Sequence, residues 1–322
     1  MQQDGTLAAC MALSLCEAID CPTAGSEGYF NHCHGFISLV QARGTRAHSA
    51  GAGHQLFLAI RVPSILYSLR SNSSTFLLDP IWMEEPWTET SKSLIHQVTD
   101  CLAEAPQILQ RVSLLAHLDP TQQLQLIYEL VQEAWKTDQK LKIIHDEVYH
   151  TTTDTMYCTV SSLINPLAER SNTSNLFPNS FHFANIEIGA TLTLLWATRT
   201  ILWSGLCNLY DFHDRVNAFM KMINTTEDSS FTPVSKNGNG SSDPLPPLGY
   251  CENYLDMAHN VCQSLQFFLQ GDMGLVGIFS VSPAIGIVIS SLQNRLGHDL
   301  EVSWLKAGLN LLREKSGAVS KI

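Results

Sequence analysis

Residues 186–210 read IEIGATLTLLWATRTILWSGLCNLY, a run that is apolar almost all round when it is wound as an α-helix. Large side chains such as Leu194, Trp196, Leu202 and Trp203 fall on different sides of that helix. A helix that is apolar on every side belongs in a protein core. We therefore expect this segment to form a buried helix.

Apolar residues recur at helical spacing in most other parts of the chain. Five further segments show this pattern: residues 30–41, 56–69, 121–135, 255–269 and 302–312. Pro63 is expected to kink or break the second of them. Strand signals are scarce, because no run of period-two alternation is bounded by hairpin turns. The sequence therefore predicts an all-α fold, with helices packed in layers, in a single domain over residues 1–322.

Several local signals mark where helices begin and where loops lie. Asp119 followed by Pro120 is a good start signal for the helix over 121–135. Two segments, 165–180 and 224–249, are polar and contain prolines, and the second is also rich in glycine. We expect both to be mobile surface loops.

Composition bounds the class of protein. Of 322 residues, 45% are hydrophobic and 15% are charged, which excludes a disordered chain. The formal net charge is -11, so the chain by itself is a poor partner for nucleic acid, whose phosphates need clustered cations. Nine scattered cysteines without a C-x-x-C pair predict reduced thiols in a reducing compartment.

One segment calls for a membrane test. Residues 273–294 contain no charge and are long enough to span a bilayer. They also contain several serines and three glycines, and Ser282 followed by Pro283 has the form of an N-cap with a first-turn proline. We expect a buried helix here and no membrane contact.

Catalytic and cofactor templates do not match the chain. It has no G-x-x-x-x-G-K-[ST] phosphate loop and no G-x-S-x-G nucleophile elbow. His32 and His34 diverge on a helix, so they cannot share a metal ion. Asp211, His213 and Asp214 form the nearest approach to an acid–base cluster. We predict no catalytic residue, no cofactor and no metal site, and therefore no enzyme.

The segment from His32 to Trp87 supplies the candidate binding residues. Arginines are concentrated there within an acidic chain, and two tryptophans follow them. One interpretation is that these residues line an inter-helix cleft for an effector or a partner surface. The simpler interpretation, which we favour, is that the arginines pair with local carboxylates and helix C-termini and the tryptophans anchor a loop. The candidate residues are Arg43, His54, Arg61, Trp82 and Trp87.

Several blocks of this sequence resemble the C-terminal regulatory region of fungal Zn2Cys6 (zinc-cluster) transcription factors. The first block contains QARG at 41–44, His48 and GHQLF at 53–57, and it ends at Arg61. The second block contains TFL at 75–77, Pro80 and Trp82, and it ends with PW at 86–87. The third block is LLWATR at 194–199, and the fourth is AHNVCQS at 258–264. Together they span nearly the whole chain.

The resemblance implies an all-α regulatory domain in the nucleus that controls transcription, often of one pathway of specialised metabolism. It implies protein partners in the transcription machinery and leaves a small-molecule effector and a homodimer open. The C-x2-C-x6-C start of the family's DNA-binding module is not found here. We expect that module either upstream of Met1 or lost in a free-standing relative, and DNA contact only through it. A helical biosynthetic enzyme and an effector-free interaction scaffold are the alternatives.

Overall fold

The computed structural model describes residues 4–20, 27–152, 155–167, 175–227, 245–293 and 295–319. Within these residues the chain forms ten α-helices and one two-stranded antiparallel sheet, which confirms the all-α fold class. The helices are α1 (Asp4–Asp20), α2 (Glu27–Arg43), α3 (Gly51–Ser71), α4 (Pro80–Glu84), α5 (Leu94–Val112), α6 (Pro120–Thr151), α7 (Ile186–Glu227), α8 (Tyr254–Phe268), α9 (Gly274–Leu292) and α10 (Asp299–Val319). The strands are β1 (Tyr157–Ser161) and β2 (Asn179–Phe183).

Helix α7 lies at the centre of the helical layers. It packs against α5, α6, α8 and α9, and every residue from Ala190 to Thr198 is buried. Two of its buried hydroxyl groups are satisfied within the helix, because Thr198 and Thr200 donate to the carbonyl oxygens four residues earlier at 2.8 Å, whereas the buried Thr193 hydroxyl has no partner among the described residues. This confirms the buried helix expected from the apolar run.

The other helices stack outward from α7. On one side α5 contacts α3, which packs on α2, and α2 packs on α1. On another side α9 lies between α7 and α10 and also touches α8. One cluster of buried apolar side chains extends from Leu7 to Leu312. That the whole chain is a single domain stays a prediction.

Helix α6 begins where the sequence predicts. Asp119 Oδ1 accepts hydrogen bonds from the backbone N–H groups of Thr121 and Gln122 at 2.9 and 3.0 Å. The Gln122 side chain accepts in return from the Asp119 N–H at 3.3 Å, which completes a capping box. Pro120 occupies the first turn, where its missing donor costs nothing.

The structure corrects two expectations about proline. Pro63 does not break its helix, because α3 runs through it from Gly51 to Ser71, and a kink at Pro63 stays a prediction. The carbonyl group that loses its donor belongs to Ala59, which is exposed and can bond to solvent. Pro283 lies inside α9 rather than in its first turn, and the Ser282 hydroxyl donates to the Ile278 carbonyl at 2.7 Å instead of capping a helix.

Helix α9 is long and apolar enough to cross a membrane by length and composition alone, and half of it is buried inside the protein. Buried core helices pass the same test. Its contacts with α7, α8 and α10 agree with the expected buried helix. The absence of membrane contact stays a prediction.

The small sheet was not predicted. Strand β2 brings Phe181 and Phe183 into the core, whereas four of the five residues of β1 are exposed. Two strands separated by a long connection show no hairpin signal. Parts of the two predicted loops, residues 168–174 and 228–244, lie outside the described residues. At the loop edges, β2 begins at Asn179 and α7 continues to Glu227, so both loops are shorter than expected.

Candidate functional site

The turn between α2 and α3 is held by two histidines. Gly44 has a positive φ of 74° directly after α2, a conformation that favours glycine. His48 Nδ1 lies 3.0 Å from the Gly53 carbonyl oxygen, and His54 Nδ1 lies 2.9 Å from the His48 carbonyl oxygen. Because a carbonyl oxygen can only accept, Nδ1 carries the proton in both rings, and each Nε2 is an acceptor when the ring is neutral.

Gly53 is required by this close approach. A Cβ atom at that position would lie 2.2 Å from the Ala47 carbonyl oxygen. The carbonyl belongs to the backbone of the short turn at Thr45–His48, so it cannot move aside like a flexible side chain. The glycine of the GHQLF block therefore allows α3 to pack against this turn.

Arg61 lies in the interior and reaches across from α3 to α5. Its side chain is 2% exposed, and its Nη1 donates to the His96 carbonyl oxygen at 3.1 Å. Its Nη2 donates to the Asp100 carboxylate, whose other oxygen accepts from Lys92 at 2.7 Å. The guanidinium also lies over the Trp87 ring, 5.0 Å from the ring centre, which adds a cation–π attraction.

The two tryptophans follow from a second well-formed local structure. Asp79 caps α4 by accepting from the Ile81 N–H at 3.0 Å, with Pro80 in the first turn. This start directs Trp82 inward, where its ring centre lies 5.8 Å from that of Phe57. Trp82 therefore joins α4 to α3.

Trp87 is the hub of this region. Its ring centre lies 5.4 Å from that of His54 and 5.3 Å from that of His96, and Lys92 lies 5.1 Å above it. We call the group the tryptophan cluster. Its members are His48, His54, Phe57, Arg61, Trp82, Trp87 and His96.

Arg43 lies at the edge of the tryptophan cluster and faces α1. Its guanidinium pairs with Asp4, and its Nη2 is 3.7 Å from the position of a Cβ on Gly53. The structure therefore brings together all five candidate residues. Arg43 and Arg61 pair with carboxylates, but Asp4 and Asp100 each lie 39 residues away in sequence, so neither carboxylate is local as the simpler interpretation predicts.

Burial lowers the pKa of two histidines of this region, His48 and His96. The pKa of His96 is lowered to about 4, mainly by burial and additionally by the nearby Arg61 cation. Burial also lowers the pKa of His48. Arg61 therefore supplies positive charge to the tryptophan cluster, balanced by Asp100, while burial disfavours the charged forms of His48 and His96.

Polar atoms without a hydrogen-bond partner are concentrated in the tryptophan cluster. Five of its members each have one such atom: His48 Nε2, His54 Nε2, Arg61 Nε, Trp87 Nε1 and His96 Nδ1. The arginine and indole nitrogens can only donate, whereas the Nε2 atoms of the two turn histidines accept. An effector in this region stays a prediction.

The block around Arg199 forms a second polar centre between α6 and α7. Asp138 is completely buried, and its Oδ1 accepts from Trp203 Nε1 at 2.7 Å and from Arg199 Nε at 3.2 Å. Its Oδ2 accepts from the Tyr250 hydroxyl at 2.6 Å. Both carboxylate oxygens are thus satisfied. This centre attaches the turn at Gly249–Asn253 to the core.

The AHNVCQS block forms a third polar centre, between α8 and α10. His259 Nε2 lies 3.4 Å from Glu301 Oε1, and the Tyr254 hydroxyl lies 2.9 Å from His298 Nε2. Phe177 packs against both His259 and Trp304, and Trp304 is almost fully buried. Here too the polar side chains join two helices that are separated along the chain.

The rejected acid–base cluster lies on the surface. Asp211 and Asp214 line a shallow depression of about 540 Å³ along α7, together with Asn208 and Arg215. His213 lies 3.1 Å from Asp214 and turns toward Asn217. Among the residues that the structure describes, no three His, Cys, Asp or Glu side chains are grouped to hold a metal ion.

Sequence reasoning missed His96, Asp100 and Asp138. Asp138 had a signal, because it continues the apolar stripe of α6 four residues after Ala134. A charged residue on a buried stripe needs a partner. Comparison of the chain with protein-family models, with curated proteins and with solved structures gave no match.

Proposed function

We propose that this chain is a transcription-regulatory domain of the fungal zinc-cluster type. It acts in the nucleus and controls the transcription of genes of one pathway, as many such regulators do in specialised metabolism. One observation carries the proposal. Three of the blocks that resemble the family, although far apart in sequence, supply side chains whose polar contacts join its helices, namely Arg61 to α5, Arg199 to α6 and His259 to α10. The resemblance thus involves the residues on which the packing depends, and the all-α fold agrees with what it implies.

The domain acts by binding proteins of the transcription machinery, and DNA contact belongs to a separate zinc-cluster module. The charge supports this division of roles, since 19 basic against 30 acidic residues repel a phosphate backbone. A mobility-shift experiment with duplex DNA at moderate salt is expected to show no binding by this chain. Tight binding would contradict the division of roles.

Regulation is tested by tethering. The chain is fused to an unrelated DNA-binding domain in yeast, with and without a strong activation domain, and a reporter gene is measured. We expect the fusion to change reporter output several-fold in one of the two contexts. Arg61→Met should abolish the change and the exposed Arg46→Met should preserve it, because only Arg61 supports the packing. An unchanged reporter at equal nuclear protein level would refute the proposal.

An effector is tested separately. A ligand that binds only the folded chain raises its apparent stability. A thermal-shift screen over a metabolite library should therefore detect an effector, and loss of the shift in His54→Gln would place it at the tryptophan cluster. A screen without any hit would favour a regulatory domain that acts only through protein contacts.

A further inference from the structure

Residues 245–250, which read LPPLGY, lie across helices α6 and α7, and we call them the strap. Its two prolines favour an extended, polyproline-like backbone, because a proline fixes its own φ and also restricts the residue before it. Gly249 then turns the chain with a positive φ of 55°. Cys251 follows, and its complete burial anchors the end of the strap in the core.

Two tyrosine hydroxyl groups attach the strap to the helices. The Tyr210 hydroxyl of α7 donates to the Pro246 carbonyl oxygen and accepts from Trp135 Nε1 of α6 at 3.3 Å. The Tyr250 hydroxyl of the strap donates to Asp138 Oδ2 of α6 at 2.6 Å. One contact thus reads a backbone carbonyl at a proline, and the other reads a hydroxyl donor four residues later.

The surface beneath the strap is aromatic and carries fixed polar atoms. The ring centre of Tyr250 lies 5.7 Å from that of Trp135 and 5.3 Å from that of Trp203. We call Trp135, Asp138, Trp203 and Tyr210 the strap groove. Aromatic-lined grooves bind proline-rich segments, whose extended backbone loses little entropy on binding. The chain's own strap therefore shows which peptide chemistry this groove fits.

The strap is held loosely compared with the groove below it. None of its six residues is buried, and Tyr250 is 49% exposed, whereas Asp138 is completely buried. Within the described part of the chain, no backbone hydrogen bond joins residues 245–248 to another element. Segments with few buried contacts open at lower free energy than core helices. Lifting the strap leaves the groove in place, because all four groove residues belong to the long helices α6 and α7.

We propose that the strap groove binds a proline-rich segment of a partner protein, of the form Pro-x-x-x-Tyr, and that the strap is its intramolecular competitor. The carbonyl group of the partner's proline accepts from Tyr210, and the partner's tyrosine donates to Asp138. The strap is covalently attached, so it competes at an effective concentration of about 1 mM or more. The wild-type chain is therefore autoinhibited. This site does not depend on the proposed regulatory function.

A labelled peptide tests the proposal directly. The probe is fluorescein-labelled LPPLGY, and its affinity for the chain is measured by fluorescence anisotropy. Tyr250→Ala removes the strap's contact with Asp138, so we expect this variant to bind the probe at least about tenfold more tightly than wild type. Tyr149→Ala is the matched control, because Tyr149 is 62% exposed on α6 away from the groove, and it should bind like wild type.

Two changes test the two polar contacts separately. A probe with phenylalanine in place of its tyrosine loses the donor to Asp138 and should bind Tyr250→Ala at least about tenfold more weakly, since hydrogen bonds to charged groups are the stronger ones. Adding Tyr210→Phe to Tyr250→Ala removes the donor to the prolyl carbonyl and should weaken binding about threefold or more. A scrambled probe should not bind.

Hydrogen exchange of wild type gives a readout that needs no variant. A saturating concentration of the probe should displace the strap and speed amide exchange at residues 249–251. The proposal is overturned if the folded Tyr250→Ala chain does not bind the probe, or if it binds no more tightly than wild type. Equal binding of the scrambled probe, or unchanged exchange at residues 249–251 in the saturated wild type, also overturns it.

Discussion

Arg61→Met is the sharpest test of the candidate site. Methionine fills a similar volume, so packing against Trp87 is largely kept while the charge is lost. Removing one partner of a buried ion pair costs about 3–5 kcal/mol, because the other charge stays buried. Asp100 still has Lys92 as a partner at 2.7 Å, so we expect a loss near 3 kcal/mol, the lower end of that range. The lost cation–π contact between Arg61 and Trp87 adds about 1 kcal/mol. We expect a total of about 4 kcal/mol in the free energy of unfolding.

Urea unfolding followed by circular dichroism and tryptophan fluorescence measures this loss. Arg46→Met is the matched control, since Arg46 is exposed and the charge change is identical; it should alter stability by less than about 0.5 kcal/mol. Adding Asp100→Asn to Arg61→Met should recover part of the loss, because the stranded charge is then removed. Equal effects of Arg61→Met and Arg46→Met would refute the assignment of Arg61 as a packing residue.

Three further predictions concern the same framework. Gly53→Ala should lower the free energy of unfolding by about 2 kcal/mol or more, because the new Cβ clashes with the Ala47 carbonyl oxygen. Gly35→Ala is the control: its Cβ meets nothing within 4 Å, so it should stabilise α2 by about 0.5–1 kcal/mol. Urea unfolding measures both changes. Because the pKa of His96 is low in the folded chain, the unfolded chain binds a proton between pH 6.5 and pH 4 that the folded chain does not. The free energy of unfolding should therefore fall by about 2 kcal/mol from pH 6.5 to pH 4. His96→Gln should flatten this pH dependence, and an equally steep profile in the variant would contradict the prediction. Asp138→Leu should cost about 3–5 kcal/mol in calorimetry, because it leaves the buried Trp203 indole and Arg199 guanidinium without their acceptor, and a near-neutral result would exclude the described hydrogen bonds.

Local signals predicted the helical framework well. The Asp119 cap and the apolar run of α7 each depend on neighbours within a few residues, and both appear where the pattern indicates. Strand β1 was missed because its partner follows after a long connection and its side chains are mostly exposed. A five-residue exposed strand has no periodicity that distinguishes it from a loop.

The sequence predicted which residues belong to the candidate site, but not how their side chains contact one another. Composition and resemblance selected Arg61 and Trp87, but the partner of Arg61 lies 39 residues away on another helix. Nothing within one segment of sequence states which carboxylate a buried arginine will meet. That choice depends on how α3 packs against α5, which is a tertiary property.

The same reasoning explains why charged residues occur at these helix contacts. A buried ion pair adds little net stability compared with apolar side chains of equal size, because both charges lose their hydration. A wrong packing of the helices would, however, leave Arg61 or Asp138 buried without a partner, at a cost of several kcal/mol. The polar centres thus penalise alternative arrangements more than they stabilise the native one. If so, replacing Asp138 and Arg199 together with apolar residues should cost less stability than replacing Asp138 alone. The double variant should nevertheless lose its single well-ordered packing, and its amide resonances in NMR spectra should broaden.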